Sequence, residues 1–299
     1  MYPKFVVSLE KGGPVIPMFG KFPGGEIKVT IPVPSREVGY GNCRVDAFLF
    51  NSDDVMALVM LTNALRQAGA ERIRLTMPYV PYGRQDRVCN PGEAFSIKAF
   101  AELINSLKFS SVVVYDAHSD VTQAVLDRCI VTTRIERLQS MYSGGDCGHV
   151  RRLLTGEDMT DEERSCDPAE WPPLYLVSPD AGARKKTMDM AKAFPRVKGI
   201  VYADKVRDVR NGSITSLTLQ GVPEDIKQAT LLVCDDICDG GRTFIELAKA
   251  FLPYGPKELN LYVTHGIFSQ GIPVLTGWYN NVWADINFNQ YELTMEKRP

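Results

Sequence analysis

Short apolar runs of strand length alternate with segments of helical period along most of this chain. That alternation restricts the fold more than any other feature. Residues 46–50 read as a strand. Ser52 is the expected cap of a helix reaching about Gln67, with Asp53 and Asp54 in its first turn and Gly69 as its stop. Residues 72–77 form the next strand, followed by a loop rich in Pro and Arg. Ser96 opens a helix that places Ile97, Phe100, Leu103, Ile104 and Leu107 on one face, and a strand at 111–115 follows. The second half repeats the plan: strand 174–177, helix 182–194, strands 197–203, 214–219 and 231–234, helix 243–252 and strand 258–263. Such alternation predicts an α/β protein with mainly parallel sheets flanked by helices and ligands at the carboxyl ends of the strands.

The chain has 299 residues, enough for two domains of ordinary size. The expected division is residues 1–146 and 147–299, with the junction at about 137–173. Gly144-Gly145-Asp146, a charged run at 156–164 and Trp171-Pro172-Pro173 make that junction read as a surface insertion with one amphipathic helix. Hydrophobic residues make up 44% and charged residues 23%, the balance of a soluble globular protein. A net charge of −2 lacks the basic excess needed for broad nucleic-acid binding. No apolar run approaches a membrane span, and the N-terminus lacks the apolar core of a signal peptide, so a cytoplasmic protein is expected. The 7 cysteines include no CxxC pair. Cys234 and Cys238 read as a buried strand thiol and a loop thiol in a reducing compartment. The three histidines have no ligand spacing, and there is neither a Walker loop nor a Gly-x-Gly-x-x-Gly fingerprint.

Residues 230–251 carry the strongest chemical signal. An apolar strand at 231–234 runs into Asp235 and Asp236. The short loop Asp239-Gly240-Gly241-Arg242 follows, and Thr243 then caps a helix with Phe244, Leu247, Ala248 and Phe251 on its apolar face. A strand, a glycine loop and a helix N-terminus favour a bound anion through free backbone N–H groups and the helix dipole. The acids would repel a bare polyphosphate, but they hydrogen-bond sugar hydroxyls and can hold Mg²⁺. The combination points to a sugar phosphate, its hydroxyls on the acids and its phosphate in the loop.

This stretch resembles the ribose-5-phosphate-binding loop, Asp-Asp-x-x-Asp-Thr-Gly-Gly-Thr, of the ribose-phosphate pyrophosphokinase (PRPP synthetase) family. Asp235, Asp236, Asp239, Gly241 and Thr243 match, while Gly240 replaces a Thr and Arg242 the second Gly. Pro78-Tyr79-Val80-Pro81-Tyr82-Gly83-Arg84-Gln85-Asp86-Arg87 resembles the family's ATP-contacting segment. Tyr115-Asp116-Ala117-His118 is similar to its Asp-Leu-His-Ala, and Val177-Ser178-Pro179-Asp180-Ala181-Gly182 to its Val-Ser-Pro-Asp-x-Gly-Gly. Lys205-Val206-Arg207 resembles the Lys-x-Arg of its catalytic loop. Phe22-Pro23-Gly24-Gly25-Glu26 resembles Phe-Ser-Asp-Gly-Glu, with Gly24 in place of the Asp. The matches fall in the family's order over roughly residues 20–270.

The resemblance implies two phosphoribosyltransferase-like domains, ATP-binding segments in the first and the sugar-phosphate and catalytic loops in the second. It implies transfer of pyrophosphate from ATP to the anomeric hydroxyl of ribose 5-phosphate, giving PRPP and AMP. Lys205 and Arg207 would be catalytic. Phe22, Glu26, Arg84, Gln85, Asp86 and His118 would bind ATP, and residues 235, 236 and 239–243 the ribose 5-phosphate. His118 and Asp180 would lie at the Mg²⁺. A homo-oligomer is expected, dimer-based and up to a hexamer, because Phe22 and its neighbours serve an adjacent subunit in the family. Two rivals stay open: a phosphoribosyltransferase that consumes PRPP, and a non-catalytic regulatory homologue. The departures at 24, 240 and 242 also fit a divergent branch, for example one serving nicotinamide or NAD salvage.

Overall fold

The computed structural model describes residues 1–10, 13–32, 40–140, 146–157, 171–207 and 214–295; the side chains at 205–207 and 214–216 lie outside that description. In chain order the strands are β1 (Tyr2–Pro3), β2 (Phe5–Leu9), β3 (Pro14–Val15), β4 (Met18–Lys21), β5 (Ile27–Thr30), β6 (Gly41–Ala47), β7 (Ala70–Thr76), β8 (Ser111–Tyr115), β9 (Cys129–Thr132), β10 (Leu174–Ser178), β11 (Val197–Arg207), β12 (Ile214–Gln220), β13 (Thr230–Cys238), β14 (Glu258–Gly266), β15 (Asn281–Asn287) and β16 (Tyr291–Glu292). The helices used below are α1 (Ser52–Gln67), α2 (Ser96–Ser106), α3 (Asp120–Val125), α4 (Arg134–Gln139), α5 (Asp146–Thr155), α6 (Arg184–Ala193), α7 (Arg242–Phe251) and α8 (Pro273–Thr276).

The chain divides into two compact units, Met1–Thr133 with Phe288–Pro299, and Arg134–Asn287. The division falls earlier than the 146/147 boundary expected from the sequence, and the last residues return to the first unit. Their return has a visible cause: Phe288 stacks on Phe50 at 3.7 Å, Tyr291 stacks on Phe48 at 4.0 Å, and β16 pairs with β1.

The first unit carries a sheet in the order β3-β2-β6-β7-β8-β9, in which β6 to β9 are parallel and β2 and β3 antiparallel. Alternate residues of β6, Cys43, Val45 and Ala47, enter one core with Leu58, Leu61 and Leu65 of α1 and Ile97, Phe100 and Ile104 of α2. The strand expected at 46–50 therefore sits earlier, because residues 48–51 are used to start α1. Asn51, not Ser52, is the N-cap: its side chain accepts from Asp54 N at 3.0 Å, and Asp54 Oδ2 accepts from Asn51 N at 3.2 Å. This capping box satisfies two amide donors at once. Asp54 is fully buried and is paired with Lys4 Nζ at 2.8 Å.

The second unit carries a sheet in the order β12-β11-β10-β13-β14-β15, parallel except for the antiparallel edge strand β12. Successive residues of β13 feed two cores. Leu231 and Val233 pack with Phe244, Leu247 and Phe251 of α7, while Leu232 and Cys234 pack with Leu138, Val150, Leu154 and Met190. A strand buried on both faces reads as a continuous apolar run, which is what residues 231–234 show. The described part of the junction is built into this second core through Leu138, Cys147, Val150 and Leu154, so it is not a surface insertion. Residues 141–145 and most of the charged run at 156–164 lie outside the described residues. Cys234 and Cys238 are buried thiols in no disulfide, both within β13. Burial pushes the Cys238 thiol up to about 12, far from a reactive thiolate.

Candidate functional site

The sheet order of the second unit fixes where a ligand can enter. From β10 the chain goes outward to β11, then returns to place β13 on the other side of β10. The loops after β10 and β13 therefore leave in opposite directions and open a crevice at the carboxyl ends of those strands. The register pairs Val177 with Val233, so Asp180 and Asp236 each stand three residues beyond one matched pair. The expected metal residue and the expected ribose acids thus come from adjacent strand ends.

β13 does not stop at Cys234, as its composition implies, but runs on to Cys238. Continued pairing with β14, Asp235 with Val263 and Ile237 with His265, holds the two acids in extended backbone. Asp235 Oδ1 accepts from Asp236 N at 2.9 Å, and Asp236 is only 7% exposed. Burial, then the charge of Asp236 and its side-chain hydrogen bond, and then Asp180, push the Asp235 carboxyl well above the usual carboxylate range; Arg134 opposes them. Arg134, the first residue of α4, is itself 3% exposed, and its Nη1 donates to Met190 Sδ of α6 at 3.9 Å.

 This buried guanidinium beside the acids had no signal in the sequence, because no motif surrounds it and Arg134 lies far from residue 235 along the chain.

The Asp180 turn is tightly tied. Asp180 Oδ1 accepts from Ala183 N at 3.0 Å, and the Asp180 carbonyl accepts from Ser178 Oγ at 2.9 Å. After β13, Asp239 and Gly240 lead to Gly241, which caps α7 from the left-handed region at φ 78° with no side chain bonded to the helix end. Thr243 is therefore inside the first turn and is not the cap. A glycine in that conformation turns the chain so that the first amides of α7 point out of the helix, the arrangement that holds an anion. Arg242 is exposed at the first helical position.

Gly240 and Gly241 differ in what they require. A Cβ on Gly241 would meet Leu275 Cδ2 at 3.1 Å in addition to the positive φ, whereas a Cβ on Gly240 would make ordinary contact with Gln270 at 3.7 Å. Gly241→Ala is expected to destabilise the fold by about 1–2 kcal/mol, the cost of a left-handed non-glycine residue. Gly240→Thr, which restores the family residue, is expected to leave the urea midpoint unchanged. Equal midpoints for both variants in urea melts would contradict this reading.

Lys205 and Arg207 stand on β11 with their backbone paired to Leu217 and Ile214 of β12; their side chains lie outside the described residues. β11 was expected to end at 203 but extends to Arg207 because β12 continues to pair with it after β10 has ended.

In the first unit, two of the expected nucleotide segments leave the carboxyl ends of neighbouring parallel strands. Residues 78–87 follow β7, and residues 116–118 follow β8. Tyr82 takes a positive φ of 63°, and its carbonyl accepts from Gln85 N at 3.0 Å, which folds the Arg84-Gln85-Asp86 segment back on itself. Arg84 and Gln85 are exposed and Asp86 half-buried. Asp116 is buried at φ 39°, and its amide donates to Thr132 O at 2.9 Å; His118 beyond it is exposed. Phe22 begins the loop of the β4–β5 hairpin, closed by Phe22 N donating to Glu26 O at 2.9 Å, and the residue is 53% exposed. Glu26 is exposed as well, and a Cβ on Gly24 would meet nothing within 4 Å. The fold therefore does not forbid an Asp at 24; its absence changes the chemistry of the loop.

Among the described residues no group of three or more His, Cys, Asp and Glu side chains is placed to hold a metal ion. No helix among them is long and apolar enough to cross a membrane.

Comparison with known proteins bears on the family and the fold. Residues 18–107 match the model of the N-terminal domain of ribose phosphate pyrophosphokinase, and residues 152–291 match that of the phosphoribosyl transferase domain. A ribose-phosphate pyrophosphokinase from Thermococcus kodakarensis is 26% identical over 84% of this chain and 78% of its own length. One from Bradyrhizobium diazoefficiens is 30% identical over 76% of this chain and 64% of its own length. The crystal structure of a phosphoribosylpyrophosphate synthetase from Mycobacterium smegmatis shares the fold with a TM-score of 0.61, at 23% identity over 85% of this chain and 73% of that one.

Proposed function

The chain belongs to the ribose-phosphate pyrophosphokinase family, and from that premise we propose that it transfers the pyrophosphoryl group of ATP to the anomeric hydroxyl of ribose 5-phosphate. The products are PRPP and AMP. The observation that carries the reading is the convergence of an acid pair and a helix start turned by Gly241, with no side-chain cap bond, at one strand end, with Asp180 just past the end of the adjacent strand. A ribose phosphate needs both features: acceptors for its hydroxyls and amide donors for its phosphate.

In this reading Asp235 and Asp236 hold the ribose hydroxyls. Asp239, Gly240, Gly241, Arg242 and Thr243 hold the 5-phosphate. Phe22 and Glu26 recognise the base, and Arg84, Gln85, Asp86 and His118 bind the nucleotide. The anomeric oxygen attacks the β-phosphorus, the bond from that phosphorus to the AMP oxygen breaks, and the hydroxyl proton leaves to solvent. Charge builds on the transferring group, so rate depends on positioned cations. Lys205 and Arg207 supply them, Arg207 through a planar fork suited to phosphate oxygens. When bound, Mg²⁺ neutralises phosphate charge. It is a hard cation that keeps most of its shell on water and substrate oxygens, so Asp180 would suffice as its protein carboxylate in the second unit. The active form is proposed to be a dimer-based homo-oligomer in the cytoplasm.

The test is AMP release from ATP and ribose 5-phosphate with Mg²⁺, with and without EDTA, and with other nucleoside triphosphates in place of ATP because of Gly24. AMP that depends on both the sugar phosphate and the metal supports the reading. Failure with every donor would leave a homologue that binds without reacting.

A further inference from the structure

Two parts of the second unit meet on a single carboxylate. β10 ends at Ser178, opposite Tyr202, while β11 runs on to Arg207 paired only with β12. From Ala203 onward the β11–β12 ribbon has left its β10 neighbour, and Asp204 stands at its root. Arg184 Nη2, from the first residue of α6, donates to Asp204 Oδ1 at 2.5 Å. Gln220 Nε2, from the end of β12, donates to Asp204 Oδ2 at 2.7 Å. The Arg184 guanidinium also lies over the Tyr202 ring, 5.3 Å from its centroid. Both oxygens of Asp204 are thus engaged, one by each flanking element. Arg184 in turn is fixed by the turn whose Asp180 carboxylate caps Ala183 N at 3.0 Å.

We propose that Arg184, Asp204 and Gln220 form a latch that sets the direction in which the β11–β12 ribbon leaves the sheet, and so positions Lys205 and Arg207 relative to the Asp180 turn. The inference rests on the proposed roles of Lys205 and Arg207. Asp204 directly precedes Lys205, so a small rotation at the root moves the whole Lys-x-Arg segment. The Arg184 and Asp204 side chains are 38% and 35% exposed. An ion pair that open to solvent adds little to stability. Misplacing a catalytic group by about 1 Å, in contrast, costs up to about 100-fold in rate. The latch should therefore register in rate and in ribbon dynamics while leaving the melting temperature almost unmoved.

The experiment compares Arg184→Ala, Asp204→Ala, the double variant and Arg184→Lys with the wild-type protein. The readouts are amide hydrogen exchange of the ligand-free chain and steady-state kinetics. Amides at 203–207 are expected to exchange at least about tenfold faster in either alanine variant, with β13 and β14 unchanged. The kcat should fall at least about tenfold, with KM for ribose 5-phosphate within about twofold. The double variant should match the singles and not multiply them, and Arg184→Lys should recover part of the loss. Wild-type exchange at 203–207 in Arg184→Ala overturns the latch whatever reaction the protein performs. Loss of activity in Lys205→Ala but not in the latch variants keeps the proposed function and overturns the latch. An inactive wild-type protein defeats the functional reading, and the exchange result then decides the latch alone.

Discussion

Lys205→Ala is expected to lower kcat by about 10²–10³, the usual cost of losing one cation or donor aimed at transition-state charge. The KM for ribose 5-phosphate should stay close to wild type, because the lysine acts on charge that develops only as the phosphorus is transferred. Lys205 lies on the free part of the β11–β12 ribbon, with its backbone opposite Leu217 and no β10 neighbour beside it. Thermal stability is expected to stay close to wild type, because the backbone pairing of residue 205 with β12 does not depend on the side chain. Lys205→Arg keeps the charge and should recover part of the rate, limited by the wider guanidinium. Steady-state kinetics on the three proteins decides the point: an alanine variant within about threefold of wild type would remove Lys205 from the catalytic set.

Asp235→Asn should move stability and activity in opposite directions. Burial, the Asp236 charge and hydrogen bond, and Asp180 hold the Asp235 carboxyl well above its ordinary range in the folded protein. The native state therefore keeps this proton to higher pH than the unfolded chain does. Where the native state binds more protons, stability falls as pH rises. The penalty begins as pH climbs past the ordinary carboxylate value of about 4 and levels off once pH exceeds the raised native value. Asn removes the titration, so the melting temperature of the metal-free, ligand-free variant should exceed wild type at neutral pH and converge with it in acid. The same change replaces a carboxyl that would accept from a ribose hydroxyl by an amide, a contact worth about 0.5–1.5 kcal/mol, or roughly 2- to 13-fold in kcat/KM. Melting curves from pH 4 to pH 8 and kinetics at pH 7.5 measure both arms. A variant less stable than wild type at neutral pH would contradict the electrostatic account.

Much of this architecture is legible in the sequence, and the misreadings have physical causes. The strand at 111–115 and the start of α2 at Ser96 coincide with the structure because periodicity and turn residues agree there. The strand expected at 231–234 is extended to Cys238, since acids that disfavour strands in isolation are carried by pairing with β14. The cap expected at Thr243 is Gly241, because a left-handed glycine leaves no side-chain signature. Arg134 beside the acid pair and the Arg184–Asp204 pair were invisible for another reason. They are made by chain crossings, and periodicity reports only the local chain. The segments picked out by family resemblance at 177–182 and 235–243 leave the same ends of the paired parallel strands β10 and β13, a neighbourhood set by sheet order and not by local sequence.

The central claim is tested most directly by following the phosphorus atoms. With ATP, ribose 5-phosphate and Mg²⁺, ³¹P NMR should show AMP and a sugar carrying a pyrophosphate at its anomeric carbon, in equal amounts, as ATP disappears. ADP with a monophosphorylated sugar product, or AMP with free pyrophosphate and unchanged sugar phosphate, would contradict pyrophosphoryl transfer.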